Sequence, residues 1–170
     1  MDSMENWENQ LQFIWTQLGT ISHKEFLQRI EDHTALIAGS QAIADFEMAC
    51  AFDSTGYEKK AEPLYRSALD QGLTGLRRRR ARIQLASTLR NNGKTQESIH
   101  ILRKEKNNYS DELNDAVDSF LALSLYSSGA KGEALSLALK ALSKHLPRYN
   151  NSLYQYAENL DSIPNEQNKS

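Results

Sequence analysis

The sequence contains little cysteine, proline or glycine, and it has no long apolar run. Its 170 residues include 1 Cys, 3 Pro and 8 Gly. The single cysteine, Cys50, excludes an intramolecular disulfide and argues against a cysteine-based metal site. So few glycines and prolines argue against a collagen-like chain and against the many tight turns of a β-sandwich. No stretch approaches the roughly 18 consecutive apolar residues that a membrane span requires.

Signals for export and for catalysis are missing as well. The first residues, 1–5, have no basic region followed by an apolar run, so they do not form a secretory signal. We therefore predict a cytoplasmic protein. The chain has no glycine-rich phosphate loop, no G-x-S-x-G and no H-E-x-x-H, and its four histidines lie far apart. We predict no catalytic residue, no metal and no cofactor.

Charge is balanced over the whole chain but segregated along it. The formal net charge is −2. Residues 1–58 carry a net charge of −8, residues 59–109 of +9 and residues 110–170 of −3. Five of the basic residues lie in the run Arg77–Arg82. Because successive residues of a helix are turned by about 100°, these arginines are expected to spread around a helix and not to form one stripe.

Apolar residues recur with the period of an α-helix along nearly the whole chain. One stripe consists of Trp7, Leu11, Ile14, Trp15 and Leu18. After it, residues 22–25 have the S-x-x-E form of a capping box, which predicts the start of a second helix. No segment shows the sustained alternation of a half-buried strand. The sequence therefore predicts an all-α fold.

The breaks between the predicted helices repeat at a nearly constant interval. Gly56, Gly93 and Gly129 are separated by 37 and 36 residues. A glycine at such a break supplies the positive φ that ends one helix and lets the chain reverse. Small residues fall in register with these glycines, seven positions before them and five after: Ala49, Ala86 and Ala122, then Ala61, Ser98 and Ala134. Small residues at these places let two antiparallel helices approach closely.

This register resembles the tetratricopeptide repeat (TPR), a helix-turn-helix unit of about 34 residues. The phrase at residues 56–69, GYEKKAEPLYRSAL, is close to the second helix of that repeat, and the phrases at 46–53, 84–93 and 120–123 resemble the bacterial TPR group 5 type. The resemblance covers roughly residues 41–146. It implies an α-α superhelix (a TPR-like solenoid) with capping helices at both ends. The tryptophan expected early in each repeat is replaced here by Asp45, Arg82 and Asp118.

The repeats imply a division of the chain into four parts. Residues 1–38 are expected to form N-terminal helices that pack on the repeats. Residues 39–148 form three helical hairpins, and residues 149–161 form a C-terminal capping helix, because stacked repeats expose apolar surface at their ends. The polar residues 162–170 are expected to form a flexible tail.

The resemblance also implies which residues face the concave groove, because the first helix of each repeat lines it in this family. The implied peptide-binding residues are Phe46, Glu47, Asp53, Arg80, Gln84, Ser87, Arg90, Asn91, Phe120 and Tyr126. The Lys and Asn of the carboxylate clamp found in some TPR domains are absent, since those positions hold Phe46, Cys50, Gln84 and Ser119. The hypothesis is a non-catalytic adaptor whose groove binds a protein or peptide segment with an acidic or carboxylate feature.

Three alternatives stay open at this point. Asp53 and Arg90 occupy equivalent groove positions in adjacent repeats and can bridge the repeats instead of binding a ligand. The run Arg77–Arg82 can grip phosphates, which would make the protein a nucleic-acid binder; against this, the run is short, lacks interleaved aromatic residues and lies in a chain of pI ≈ 6.1. The third alternative is a homo-oligomeric structural protein in which Trp7 and Trp15 are exposed. The oligomeric state itself is open.

Overall fold

The structure, a computed structural model, describes residues 3–37 and 39–160. Within these residues it contains nine α-helices and no strand, which confirms the all-α prediction. The predicted tail, residues 162–170, lies outside the described residues. The helices are α1 (Ser3–Trp15), α2 (His23–Thr34), α3 (Gln41–Ser54), α4 (Glu58–Asp70), α5 (Gly75–Asn91), α6 (Thr95–Asn108), α7 (Asn114–Ser127), α8 (Lys131–Ser143) and α9 (Asn150–Asn159).

The three register glycines end their helices as predicted. Gly56, Gly93 and Gly129 have φ values of 82°, 80° and 92°. At each one, the residue after the glycine donates its backbone N–H to a carbonyl five positions earlier: Tyr57 to Phe52, Lys94 to Leu89 and Ala130 to Leu125. This is the hydrogen bond of a Schellman motif, which satisfies a carbonyl that the helix end leaves unpaired. The repeat in the sequence is therefore a repeat of one helix-ending turn.

Two other local predictions have different outcomes. The backbone N–H of Glu25 donates to Ser22 Oγ at 3.2 Å, which confirms the capping interaction at the start of α2. A proline early in the second helix of repeat one led us to expect a late or distorted start for that helix. Instead α4 begins at Glu58, ahead of Pro63. Pro63 has no backbone N–H to donate to the carbonyl of Lys59, four residues earlier in the first turn. Lys59 is exposed.

The described residues form two compact units, one up to Thr88 and one from Leu89 onward, and the boundary falls within α5. A core of buried residues in the first unit joins α1, α2 and α3: Trp7, Leu11, Phe26, Ile30 and Ala51. Trp7 is buried and donates from Nε1 to the carbonyl of His33 at 3.1 Å. The expected exposure of Trp7 is therefore wrong, because its ring belongs to this core and stacks on His33.

Where a TPR usually has tryptophan, the first unit uses a buried carboxylate. Asp45 on α3 accepts hydrogen bonds from Gln41 Nε2, Ser67 Oγ and Gln71 Nε2 at 2.7, 2.6 and 2.7 Å. Ser67 lies on α4 and Gln71 follows its last turn. In place of apolar packing, a hydrogen-bonded polar network therefore joins α3 and α4. A buried carboxylate requires such hydrogen-bond partners.

The second unit is built on α6, α7, α8 and α9. The Ser98 and Ser124 hydroxyls are hydrogen bonded at 2.8 Å and join α6 to α7. Lys106 donates to Asp118, the acidic residue at the tryptophan position of repeat three. Helix α9 packs against α8 through the fully buried Ala157. The division of the chain at residues 38 and 148 stays a prediction.

Candidate functional site

A cavity of about 570 Å³ lies in the first unit between α1, α3 and α5. Helices α3 and α5 are the first helices of repeats one and two, so this cavity is on the face that the resemblance assigned to the groove. Three of the predicted groove residues line it, namely Glu47, Arg80 and Gln84. The other lining residues are Glu8, Leu11, Gln12, Trp15, Thr16, Cys50, Ser54 and Arg77.

One side of the cavity is closed by an ion network centred on Arg77. The guanidinium donates to both carboxylate oxygens of Glu8, at 2.8 and 2.7 Å, and from Nε to Glu47 at 3.0 Å. Trp15 Nε1 donates to the other oxygen of Glu47 at 3.3 Å. Burial lowers the pKa of Arg77, but the hydrogen bonds to Glu8 and Glu47 outweigh burial and hold the pKa above its usual value. Two acidic side chains share one arginine here, and Glu47 is buried within the network.

The other cation of the cavity, Arg80, is exposed and lies over an aromatic ring. Its guanidinium carbon is 5.2 Å from the centre of the Phe46 ring, a cation–π distance. Phe46 itself is fully buried and packs against Tyr65 in the core, so its ring offers no surface to a ligand. Phe46, which the resemblance implied as a peptide-binding residue, is therefore not placed to contact a ligand directly. Its role in the groove is to hold the guanidinium of Arg80 in place.

The centre of the cavity is polar but unreactive. Cys50 Sγ donates to Gln84 Oε1 at 3.3 Å, which leaves the amide nitrogen of Gln84 for other partners. Burial raises the pKa of the Cys50 thiol to about 12, with a further contribution from the nearby charge of Glu47. A thiol with this pKa is protonated at neutral pH and is a poor nucleophile. Cys50 therefore acts as a packed wall residue.

Asp53 joins adjacent repeats through Thr88. Thr88 Oγ1 on α5 donates to Asp53 at 3.1 Å, and Tyr65 OH donates to its other oxygen at 3.5 Å. Burial raises the pKa of Asp53 above its usual value, and the Thr88 hydrogen bond opposes that shift. Asp53 therefore joins α3 to α5 through Thr88, and the bridge between Asp53 and Arg90 stays a prediction.

The remaining predicted residues are spread over α5 and the second unit. Ser87 is half-buried on α5. In the second unit, Arg90 Nη2 donates to Asn91 Oδ1 at 2.9 Å, so these neighbours orient each other. Phe120 is half-buried, and Tyr126 is exposed at the end of a separate groove between α7 and α8.

The sequence interpretation missed the contribution of α1. Glu8 and Trp15 line the cavity and bind its polar groups, yet the N-terminal helices were expected only to pack on the repeats. The signal was present in the stripe that contains Trp7, Leu11 and Trp15, since a helix with one buried face places neighbouring polar residues at the rim. The missing information was the partner, Arg77, which stands 69 residues away from Glu8.

The arginines of the run Arg77–Arg82 lie in different environments. Arg77 is bound by two carboxylates, Arg79 is buried at 3% exposure, and Arg80 lies on Phe46. Through Arg77 the basic segment is joined to Glu8 and Glu47 of the acidic N-terminal segment. These environments also remove Arg77 and Arg79 from the side chains available for phosphate contacts.

The class of protein follows from the hairpins, the repeated glycine turn and the small residues at the helix contacts: an α-helical repeat protein. The family model described as Tetratrico peptide repeat matches residues 42–160. The chain therefore belongs to the TPR family, as the resemblance indicated, and this membership indicates a role in protein–protein interaction. No curated protein and no solved structure matches the chain.

The described part of the chain holds neither a candidate membrane span nor a candidate metal cluster. None of its helices combines the length and the apolar character that crossing a bilayer requires. In residues 3–37 and 39–160 no three His, Cys, Asp or Glu side chains form a group able to hold a metal ion. Family members are typically non-catalytic.

Proposed function

We propose that this protein is a non-catalytic adaptor that binds a protein or peptide segment in the cavity between α1, α3 and α5. The occupant carries a carboxylate, either a side chain or a chain terminus, that pairs with Arg80. The observation that carries the proposal is the contrast between the two arginines of the cavity. Arg77 is already paired with Glu8 and Glu47, whereas the exposed guanidinium of Arg80 rests on Phe46.

The setting of Arg80 favours a carboxylate as its partner. A guanidinium presents two parallel N–H groups that match the two oxygens of a carboxylate. Stacking on Phe46 orients the guanidinium in advance, so that less side-chain entropy is lost when the ligand binds. The amide nitrogen of Gln84 supplies a second donor close by. This amide can donate a hydrogen bond to a backbone carbonyl of the bound segment.

Affinity purification from the native cell tests the groove. The baits are the wild type, Arg80→Ala and a matched control, Arg103→Ala, an arginine that is also exposed and that pairs with Glu133 in the second unit. We expect proteins captured by the wild type and by the control to be lost with Arg80→Ala. If all three baits capture the same proteins, Arg80 does not contribute to binding.

A second step identifies the ligand group. The captured protein is reduced to its binding segment, and peptides with single Asp→Asn or Glu→Gln changes, or with an amidated end, are titrated by calorimetry. One of these neutral peptides is expected to lose at least about tenfold in affinity for the wild type. The same peptide is expected to lose little further affinity for Arg80→Ala, because the pair is already broken. Equal affinities for all peptides would contradict the carboxylate.

A further inference from the structure

A second cavity of the first unit adjoins the one that contains Arg80. It has a volume of about 470 Å³ and lies between the start of α3, the connection from α4 to α5 and the start of α5. Glu8, Arg77 and Arg80 line both cavities, so the two meet at Arg80 and at the Glu8–Arg77 ion pair. We call this second cavity the side pocket.

Four aliphatic side chains line the side pocket. Ala42 and Ile43 come from the start of α3, Leu73 precedes α5, and Leu76 lies in the first turn of α5. Leu73 is buried, whereas Leu76 is 50% exposed. An aliphatic side chain that enters the pocket covers the exposed part of Leu76, and removal of apolar surface from water favours binding.

One face of α5 presents three different side chains in a fixed order. Leu76, Arg80 and Gln84 are spaced four residues apart, so they follow one another along the helix at intervals of about one turn. Leu76 lines the side pocket, Arg80 lines both cavities and Gln84 lines the first cavity. The Cβ atoms of such neighbours are about 5–6 Å apart. An apolar subsite therefore lies directly beside the cation that we assigned to the ligand carboxylate.

The charges around Arg80 favour a single acidic group in the ligand. Glu8 and Glu47 balance Arg77 and Arg80 in formal charge, and both carboxylates are already paired with Arg77. One ligand carboxylate pairs with Arg80. A second one beside it would be repelled by Glu8 and Glu47. The neighbour of the acidic residue is therefore expected to be uncharged, as the aliphatic pocket also requires.

We propose that the segment bound at Arg80 carries a leucine or isoleucine two positions from its acidic residue, and that this aliphatic side chain enters the side pocket. Alternate residues of an extended segment point to the same side and lie about 7 Å apart, close to the spacing of Leu76 and Arg80. The inference rests on the proposed function, since it takes Arg80 as the partner of the carboxylate.

Selection from a displayed library of random eight-residue peptides tests this pattern. The targets are the wild type, Arg80→Ala, Leu76→Ser and a matched control, Leu36→Ser, at a leucine of the first unit that is 71% exposed and lines neither cavity. We expect the wild type and the control to enrich peptides with Asp or Glu and, two positions away, Leu or Ile. Leu76→Ser is expected to enrich the acidic residue alone, and Arg80→Ala to lose it. Circular dichroism shows whether each target is folded.

Calorimetry on one enriched peptide measures the contribution of the side pocket. Replacement of the aliphatic residue by alanine is expected to weaken binding to the wild type about tenfold and binding to Leu76→Ser less than about threefold.

The outcomes separate this inference from the proposed function. If the wild type enriches an acidic residue without an aliphatic residue two positions away, the inference is wrong and the proposed function stands. An aliphatic preference that Leu76→Ser retains also overturns the inference, because the side pocket then does not receive that residue. If the wild type enriches no acidic residue, the proposed function fails together with it.

Discussion

Glu8 on α1 and Arg77 on α5 form a bidentate ion pair, with N–O distances of 2.8 and 2.7 Å, across 69 residues of sequence. Helix α1 precedes the part of the chain that matches the TPR family, residues 42–160, yet this pair fixes it to the first helix of repeat two. The groove of the first unit is therefore completed by a segment outside the repeats. Because Arg77 also binds Glu47 on α3, one side chain holds three helices together.

This connection predicts a large effect of Arg77→Ala on stability. The variant leaves Glu47, 2% exposed, as a buried carboxylate without its ion-pair partner Arg77. The loss of one partner of a buried ion pair costs about 3 kcal/mol in the free energy of unfolding. The double variant Arg77→Ala/Glu47→Gln is expected to recover part of this loss, because the unpaired charge is gone.

Urea unfolding followed by circular dichroism measures the effect as a double-mutant cycle. The single variant Glu47→Gln completes the cycle and retains an acceptor for Trp15 Nε1. If the effects of the two single variants add in the double variant, Arg77 and Glu47 do not interact in the folded protein, and the network does not hold the helices as described.

A second prediction concerns the reactivity of Cys50. The thiol is 2% exposed, and its pKa is raised to about 12 by burial. At about pH 8 only about one thiol in ten thousand is then ionised, and the thiolate is the reactive form. Iodoacetamide is therefore expected to leave the folded protein unmodified and to alkylate it fully in denaturant. Intact-mass spectrometry reads both results, and rapid modification of the folded protein would show that the cavity opens to this sulfur.

The fold was predictable from local signals, whereas the polar network of the groove was not. Gly56, Gly93 and Gly129 predict helix ends from conformational freedom alone, and their positive φ values bear this out. The ion network depends on which distant side chains meet, and no local pattern pairs Glu8 with Arg77. Phe46 shows the same limit in another way, since a family position predicts which face a residue lies on but not how deeply the neighbouring residues bury it.

The register glycines give a third prediction, on the turn between α7 and α8. Gly129 has a φ of 92°, and nothing lies within 4 Å of the Cβ that a substitution would add. The effect of Gly129→Ala is therefore confined to the backbone, and we expect a loss of about 1 kcal/mol in unfolding free energy. Gly129→Asn is the matched variant and is expected to lose less, because asparagine tolerates the left-handed conformation. Equal losses would contradict the backbone explanation.

A fourth prediction concerns how Asp53 changes the stability of the fold with pH. Its contribution falls as the pH rises, which is the reverse of the usual behaviour of a carboxylate. Burial raises its pKa in the folded state above its value in the unfolded chain, which is about 3.9. The folded state then binds the proton more tightly, so this residue contributes less stability as the pH rises through the interval between the two pKa values.

Asp53→Asn keeps an acceptor for Thr88 Oγ1 and removes the buried charge. We expect the variant to be more stable than the wild type at about pH 7 and to lose this advantage below about pH 4. Urea unfolding of both proteins across this range measures the difference, and an advantage that does not change with pH would show that the charge of Asp53 is not its cause.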